Sequence, residues 1–131
     1  MRRFSRSLRY ALEGVWHALR TERNLKLFTA LYIFSLLISA VLNVSVRDWE
    51  MVIFSGALFL AMELVNTALE RFADAFHTHA RAQNDLHTQA MKVTKDTAAG
   101  ASLVCALGWI IILVMIYFPR LWILWMGGKL A

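Results

Sequence analysis

Residues 51–72 read MVIFSGALFLAMELVNTALERF, an apolar stretch long enough to span a membrane that also carries two glutamates. At 3.6 residues per turn, five polar residues in and just beyond it share one helix face, here called the polar stripe: Glu63, Asn66, Thr67, Glu70 and Asp74. An ionisable group deep in the hydrocarbon core costs about 3 kcal/mol. The stripe is therefore expected to face protein, a cavity or a ligand.

Two further apolar runs flank this stretch. Residues 27–46 are 20 consecutive uncharged residues, and residues 97–119 are another 23. The mean hydropathy of +0.52 is too high for a soluble domain of this size. The sequence predicts one all-α membrane domain over residues 1–131, with transmembrane helices at 27–46, 51–72 and 97–119. Pro119 marks the expected end of the third helix.

Residues 1–26 predict an amphipathic surface helix followed by a connector. Apolar side chains recur there at helical spacing, with arginines filling the gaps: Phe4, Leu8, Leu12, Val15, Trp16 and Leu19. Such a helix lies on the inner membrane surface. The same pattern also suits a basic anchor that serves only to guide insertion.

The basic residues indicate the orientation. Residues 1–26 contain seven lysines and arginines. The segment 71–95, which leads from the second apolar stretch to the third and is here called the second loop, contains four (Arg71, Arg81, Lys92 and Lys95), and the rest of the chain contains three. The positive-inside rule places the N-terminus and the second loop in the cytoplasm and the C-terminus outside. Anionic lipid headgroups then account for the net charge of +5, so no nucleic-acid partner is expected.

The polar residues near the cytoplasmic side suit phosphoryl transfer. Carboxylates such as Glu22, Glu70 and Asp74 are hard oxygen ligands of the kind that Mg²⁺ takes together with substrate phosphates. Lys95, beside Asp96, supplies a point charge for phosphate. A glutamate within reach of a lipid hydroxyl can act as general base. Transfer from a nucleotide to a membrane lipid would use all of these parts.

Two other interpretations of the polar stripe stay open on the pattern alone. Intramembrane Glu and Asn also join helices by hydrogen bonds, or form a proton or cation relay. The sequence has no Walker A motif and no kinase glycine loop. His77, His79 and His87 have no firm partner set for a metal site, and Cys105 is expected to be a small core residue.

Three segments carry a resemblance to a known family. They are RYALEGVWHALRTERNLK at 9–26, ELVNTALERFAD at 63–74 and KDTAAGA at 95–101. Together they resemble the prokaryotic integral-membrane diacylglycerol kinase and undecaprenol kinase family. The resemblance implies ATP-dependent phosphorylation of a membrane lipid alcohol, with Mg²⁺, in a homotrimer of the bacterial inner membrane. Sites between protomers would turn the polar stripe toward a neighbour's helices.

The family also implies a role for each matching residue. Glu63 is the implied catalytic base, and Glu22 and Glu70 are the implied metal ligands. The implied ATP contacts are Arg3, Tyr10, Glu22, Glu70, Lys95 and Asp96. The implied substrate or support residues are Glu63, Asn66, Asp74 and Ala99. The loop at 75–94 is longer than the family pattern, and TERN and TAAGA look slightly more like the polyprenol branch, with diacylglycerol still open as substrate.

Overall fold

The chain is entirely helical wherever its structure is described. The computed structural model describes the backbone of residues 2–79 and 85–127 and the side chains of residues 3–76 and 88–127. Within those limits it has four helices: α1 Arg2–Thr21, α2 Arg23–Val41, α3 Val46–His79 and α4 Asp85–Gly127. Helices α2, α3 and α4 are each long and apolar enough to cross a membrane. The predicted all-α fold is confirmed, with three helices that are candidate membrane spans.

The turn between α2 and α3 comes earlier than the apolar run suggests. Helix α2 ends at Val41, five residues before position 46, and Asn43 takes a left-handed conformation with φ 46°. Ser45 then caps α3: its hydroxyl donates to the Asp48 carboxylate at 2.7 Å, and the Asp48 N–H donates back to Ser45 Oγ at 3.3 Å. This capping box sets the helix start, which hydropathy alone does not register. The membrane limits themselves remain predictions.

Helices α3 and α4 form the main helix pair. On each helix one series of buried residues recurs every seven positions: Val52, Phe59, Asn66 and Ala73 on α3, and Ser102, Trp109 and Ile116 on α4. A seven-residue spacing is typical of helices that pack at a small crossing angle along their whole length. These residues therefore form one line of contact along the length of α3 and α4, here called the seam.

Helix α2 packs on this pair through aromatic residues. Phe28 lies 5.0 Å from Phe59 between ring centroids, and Phe59 stacks on Trp109 at 5.5 Å. Gly56 permits the closest approach, because a Cβ there would lie 2.4 Å from the Tyr32 ring. The Tyr32 hydroxyl donates to the backbone carbonyl of Ile53 at 3.1 Å. These contacts fix α2 against the middle of the seam.

Helix α4 does not end at Pro119, so that prediction is wrong. The helix continues to Gly127 with the proline inside it. Proline removes one backbone donor, but a chain in lipid keeps its other backbone groups bonded by remaining helical. The Arg120 side chain donates to the Ile116 carbonyl at 2.8 Å and to the Asp48 carboxylate at 2.6 Å, which joins the last part of α4 to the start of α3.

Candidate active site

Glu63 is buried where α3 meets α4. Its side chain is 7% exposed, and Ser102 of α4, 4% exposed, donates a hydrogen bond to Glu63 Oε2 at 2.5 Å. Small residues on α4, among them Ala98, allow the helices to approach closely there. In the part of the chain that the structure describes, Glu63 has this neutral hydroxyl as its partner and no ion pair.

One turn further along α3, Asn66 joins Glu70. The Asn66 amide donates to Glu70 Oε1 at 3.2 Å, across one helical turn. The amide oxygen of Asn66 is buried and accepts no hydrogen bond from the described residues. A buried acceptor without a donor costs free energy, so this position is one where a ligand donor would be favourable.

The first half of the polar stripe is buried within its own chain, where Glu63 contacts Ser102 of α4. That the stripe also faces a neighbouring protomer stays a prediction. Glu63, Asn66 and Thr67 are all buried within the single chain. Exposure then rises along the stripe, since Glu70 is half-buried and Asp74 is exposed. The physical reason is the seven-residue seam, which places α4 over the first half of the stripe.

Glu22 reaches α3 from the junction of α1 and α2. Arg71 donates to Glu22 Oε1 from Nε at 3.2 Å and from Nη2 at 2.7 Å, and Nη2 also donates to the Thr21 hydroxyl. Because Arg71 directly follows Glu70, this contact brings Glu22 to the turn of α3 that carries Glu70. The two implied metal ligands thus come to the same level of the molecule.

Lys95 of α4 and Asp74 of α3 form an ion pair at the end of the α3–α4 pair that also carries Glu70. The Lys95 ammonium donates to Asp74 Oδ1 at 2.8 Å. Beside them is an open surface pocket of about 460 Å³, whose lining includes Asp74, Thr88, Lys92, Lys95 and Asp96. Two lysines and two carboxylates in one pocket make a polar site large enough for a charged ligand.

Other residues implied by the family are not brought to this cluster. Arg3 and Tyr10 are exposed on α1, and Tyr10 lies under the Arg9 guanidinium, 5.4 Å from the ring centroid. Ala99 is exposed on α4. The side chains of His77, His79 and His87 lie outside the described residues. The described part of the chain contains no group of three His, Cys, Asp or Glu residues able to hold a metal unaided.

An apolar cleft begins one turn deeper than Glu63. It has a volume of about 350 Å³ and its lining includes Phe59, four residues before Glu63, and Ala106, four residues after Ser102. Both spacings correspond to one helical turn on the same face. The cleft extends along α4 through Trp109 to Tyr117. The lining of the cleft thus comes within one helical turn of Glu63 on α3 and of Ser102 on α4.

Sequence reasoning missed two residues of this site. Ser102 was not singled out as a site residue, although it lies seven positions after Lys95 and so on the same face of α4. That spacing was the available signal. Arg71 counted only toward orientation, and no local pattern indicates that it reaches Glu22, because the contact joins residues 49 positions apart.

Comparison with known proteins identifies the family. The family model described as prokaryotic diacylglycerol kinase matches residues 9–117. An undecaprenol kinase of Bacillus subtilis is 35% identical over 123 residues, which cover 92% of this chain and 93% of that protein. A diacylglycerol kinase of Synechocystis is 30% identical over 115 residues, which cover 88% of this chain and 62% of that protein. The chain therefore belongs to the prokaryotic diacylglycerol kinase family and is a lipid kinase.

Proposed function

We propose that this kinase transfers the γ-phosphoryl group of ATP to the hydroxyl of a membrane lipid alcohol, diacylglycerol or undecaprenol. The observation that carries the proposal is the buried Glu63 carboxylate, with the Ser102 hydroxyl as its partner. Burying a carboxylate in a membrane helix without a cation is costly, and such groups are retained for function. The relay alternative has no support in the two relatives above, both of which are named as kinases.

In the proposed reaction Glu63 is the general base. The lipid hydroxyl oxygen attacks the γ-phosphorus and forms the new O–P bond, while its proton passes to the Glu63 carboxylate. The bond from the γ-phosphorus to the β,γ-bridging oxygen breaks, and ADP leaves with that electron pair. The hydrogen bond from Ser102 to Glu63 Oε2 leaves Oε1 to accept the proton.

The apolar cleft supports a lipid as the acceptor. Its lining comes within one helical turn of Glu63 on α3 and of Ser102 on α4, and it consists mainly of aromatic and aliphatic side chains. A lipid whose hydroxyl lies at Glu63 would place its hydrocarbon chain along this cleft. Burial of that chain beside the base orients the hydroxyl for attack.

Glu22 and Glu70 are the proposed Mg²⁺ ligands. Each has one carboxylate oxygen, Oε1, hydrogen-bonded to a neighbour, which leaves the second oxygen for a cation. Two carboxylates suit Mg²⁺, which completes its shell with waters and substrate phosphates. Bound there, Mg²⁺ would neutralise charge on the β- and γ-phosphates.

The remaining site residues are proposed to bind ATP or to support the substrate site. Lys95 and Asp96, which line the polar pocket, are proposed to contact ATP, together with Glu22, Glu70 and, from α1, Arg3 and Tyr10. Asn66, Asp74 and Ala99 are proposed to support the substrate site. The hydrogen bond from Asn66 to Glu70 and the ion pair between Asp74 and Lys95 support two of these roles.

The proposed setting is a homotrimer in the bacterial inner membrane, with the N-terminus and second loop in the cytoplasm and the C-terminus outside. The basic residues support this orientation. The apolar side chains of α1, such as Phe4 and Trp16, are exposed in the single chain, as expected of a helix that lies on the membrane surface. The separation of Arg3 and Tyr10 from the charged cluster supports sites completed by a second chain.

The proposal is tested by an ATP-dependent phosphorylation assay. The purified protein in bicelles receives labelled ATP and Mg²⁺ with diacylglycerol, undecaprenol or both. We expect a phosphorylated lipid that depends on ATP, and the preferred alcohol appears in the mixed reaction. Failure to label either alcohol, by protein that retains its helical content, would contradict the proposal.

A further inference from the structure

We propose that Arg71 is a positioning residue for the metal-binding carboxylate of Glu22. It holds one carboxylate oxygen, so that the other stays available to the cation at the level of Glu70. The inference rests on the proposed function, which assigns Glu22 and Glu70 to Mg²⁺.

The hydrogen-bond geometry is specific to one oxygen. Arg71 Nε and Nη2 both donate to Glu22 Oε1, at 3.2 and 2.7 Å, and neither is bonded to Oε2. The same Nη2 donates to the Thr21 hydroxyl, which itself donates to the His17 carbonyl at 2.8 Å. Arg71 thus fixes both the last turn of α1 and the carboxylate that follows it. Metal-binding carboxylates are commonly oriented by such a second partner.

The position of Glu22 at the start of α2 is consistent with a role for its side chain outside that helix. Glu22 occupies the N-cap position of α2 with φ −91° and ψ 120°, yet its side chain makes no capping hydrogen bond. N-cap side chains normally satisfy the first free N–H groups of the helix. Here the carboxylate leaves those donors and turns to α3 instead. The Glu22 carboxylate is therefore held by Arg71 of α3 and not by its own helix.

Stability alone explains this arrangement poorly. The side chains of Arg71 and Glu22 are 39% and 34% exposed, and ion pairs at such exposure contribute little to folding. The ion pair instead fixes the position of the Glu22 carboxylate. Because Arg71 follows Glu70 on α3, that position is beside the turn of α3 that carries Glu70. The Arg71 guanidinium holds the Glu22 side chain against α3.

The test measures cation binding directly. Mn²⁺, as a paramagnetic probe for Mg²⁺, is titrated into the full-length protein in detergent with a non-hydrolysable ATP analogue, and free Mn²⁺ is followed by EPR. Arg71→Ala should weaken Mn²⁺ binding by roughly 10–100-fold. Arg71→Lys, which keeps the charge but not the two donors, should give a smaller loss. Arg23→Ala, which removes an exposed cation beside Glu22, should change the Kd by less than about twofold.

The outcomes separate this inference from the proposed function. If Glu22→Ala leaves Mn²⁺ binding unchanged, the assignment of Glu22 to the metal is wrong. If Glu22→Ala weakens binding but Arg71→Ala and Arg71→Lys do not, only the positioning role is wrong, and the pair is a structural contact. Tighter binding by Arg71→Ala would show that Arg71 competes with the cation and would also overturn the inference. Should Arg71→Ala fail to fold, Arg71→Lys alone decides, by weaker or by unchanged binding.

Discussion

Carboxylates at the two ends of the α3–α4 pair have different kinds of partner. At the capped end, beside the α2–α3 turn, Asp48 accepts hydrogen bonds from Ser45 at 2.7 Å and from Arg120 at 2.6 Å. At the Glu63 end, the carboxylates of Glu63 and Glu70 have a hydroxyl and an amide as partners. Neither of these two carboxylates forms a salt bridge within 4 Å in the described part of the chain. Ion pairs occur at both ends, but at the end where the reaction is proposed to occur the carboxylates of Glu63 and Glu70 stay outside them.

The sharpest contrast is expected at the proposed metal ligands. Glu70→Ala or Glu22→Ala should lower kcat and raise the Mg²⁺ concentration for half-maximal activity. The expected change exceeds the roughly 10–100-fold that loss of an outer partner costs, because a direct ligand is removed. Kinase assays over a Mg²⁺ series measure it. His77→Ala and His79→Ala serve as controls and should change little. An inactive His77→Ala with a fully active Glu70→Ala would reverse this assignment.

The capped end should respond through stability instead. Asp48→Ala removes the capping carboxylate of α3 and the ion pair with Arg120, and should lower the free energy of unfolding by about 1–2 kcal/mol. Activity per folded molecule should stay near the wild-type value. Thermal unfolding in detergent and a kinase assay on the same sample test both parts. A large loss of kcat with unchanged unfolding would show that the two ends do not divide their roles.

Two serines, one toward each end of the helix pair, allow the comparison with the smallest expected effect. Ser102 bonds Glu63 at one end, and Ser39 bonds the Tyr117 hydroxyl at 2.8 Å toward the other. Each Ser→Ala change should cost about 0.5–1.5 kcal/mol of stability. Only Ser102→Ala should also lower kcat, because Glu63 loses the donor that orients it. Equal kinetic effects of the two variants would remove the distinction.

The sequence predicted the helices and the polar stripe because both depend on local periodicity. Three long apolar segments require three spanning helices, and the spacing from Glu63 to Asp74 fixes which residues share a face. Helix α3 continues beyond the predicted span, from residue 72 to His79. Helical periodicity of this kind follows from backbone geometry and needs no tertiary information.

What the sequence did not predict depends on contacts between helices. The end of α2 at Val41 follows from the turn at Asn43 and the cap at Ser45, which average hydropathy conceals. The continuation of α4 through Pro119 follows from the need for bonded backbone in lipid. The burial of the stripe against the chain's own α4 follows from register, which one helix alone does not set.

The central claim is that Glu63 accepts the proton of the lipid hydroxyl, and Glu63→Gln tests it most directly. Glutamine has nearly the same shape and can still accept the Ser102 hydrogen bond, but its amide cannot act as the base. We predict a loss of kcat of roughly 10²–10⁴-fold in the ATP-dependent phosphorylation assay, with thermal unfolding close to wild type. Near-native turnover by folded Glu63→Gln protein would contradict the account.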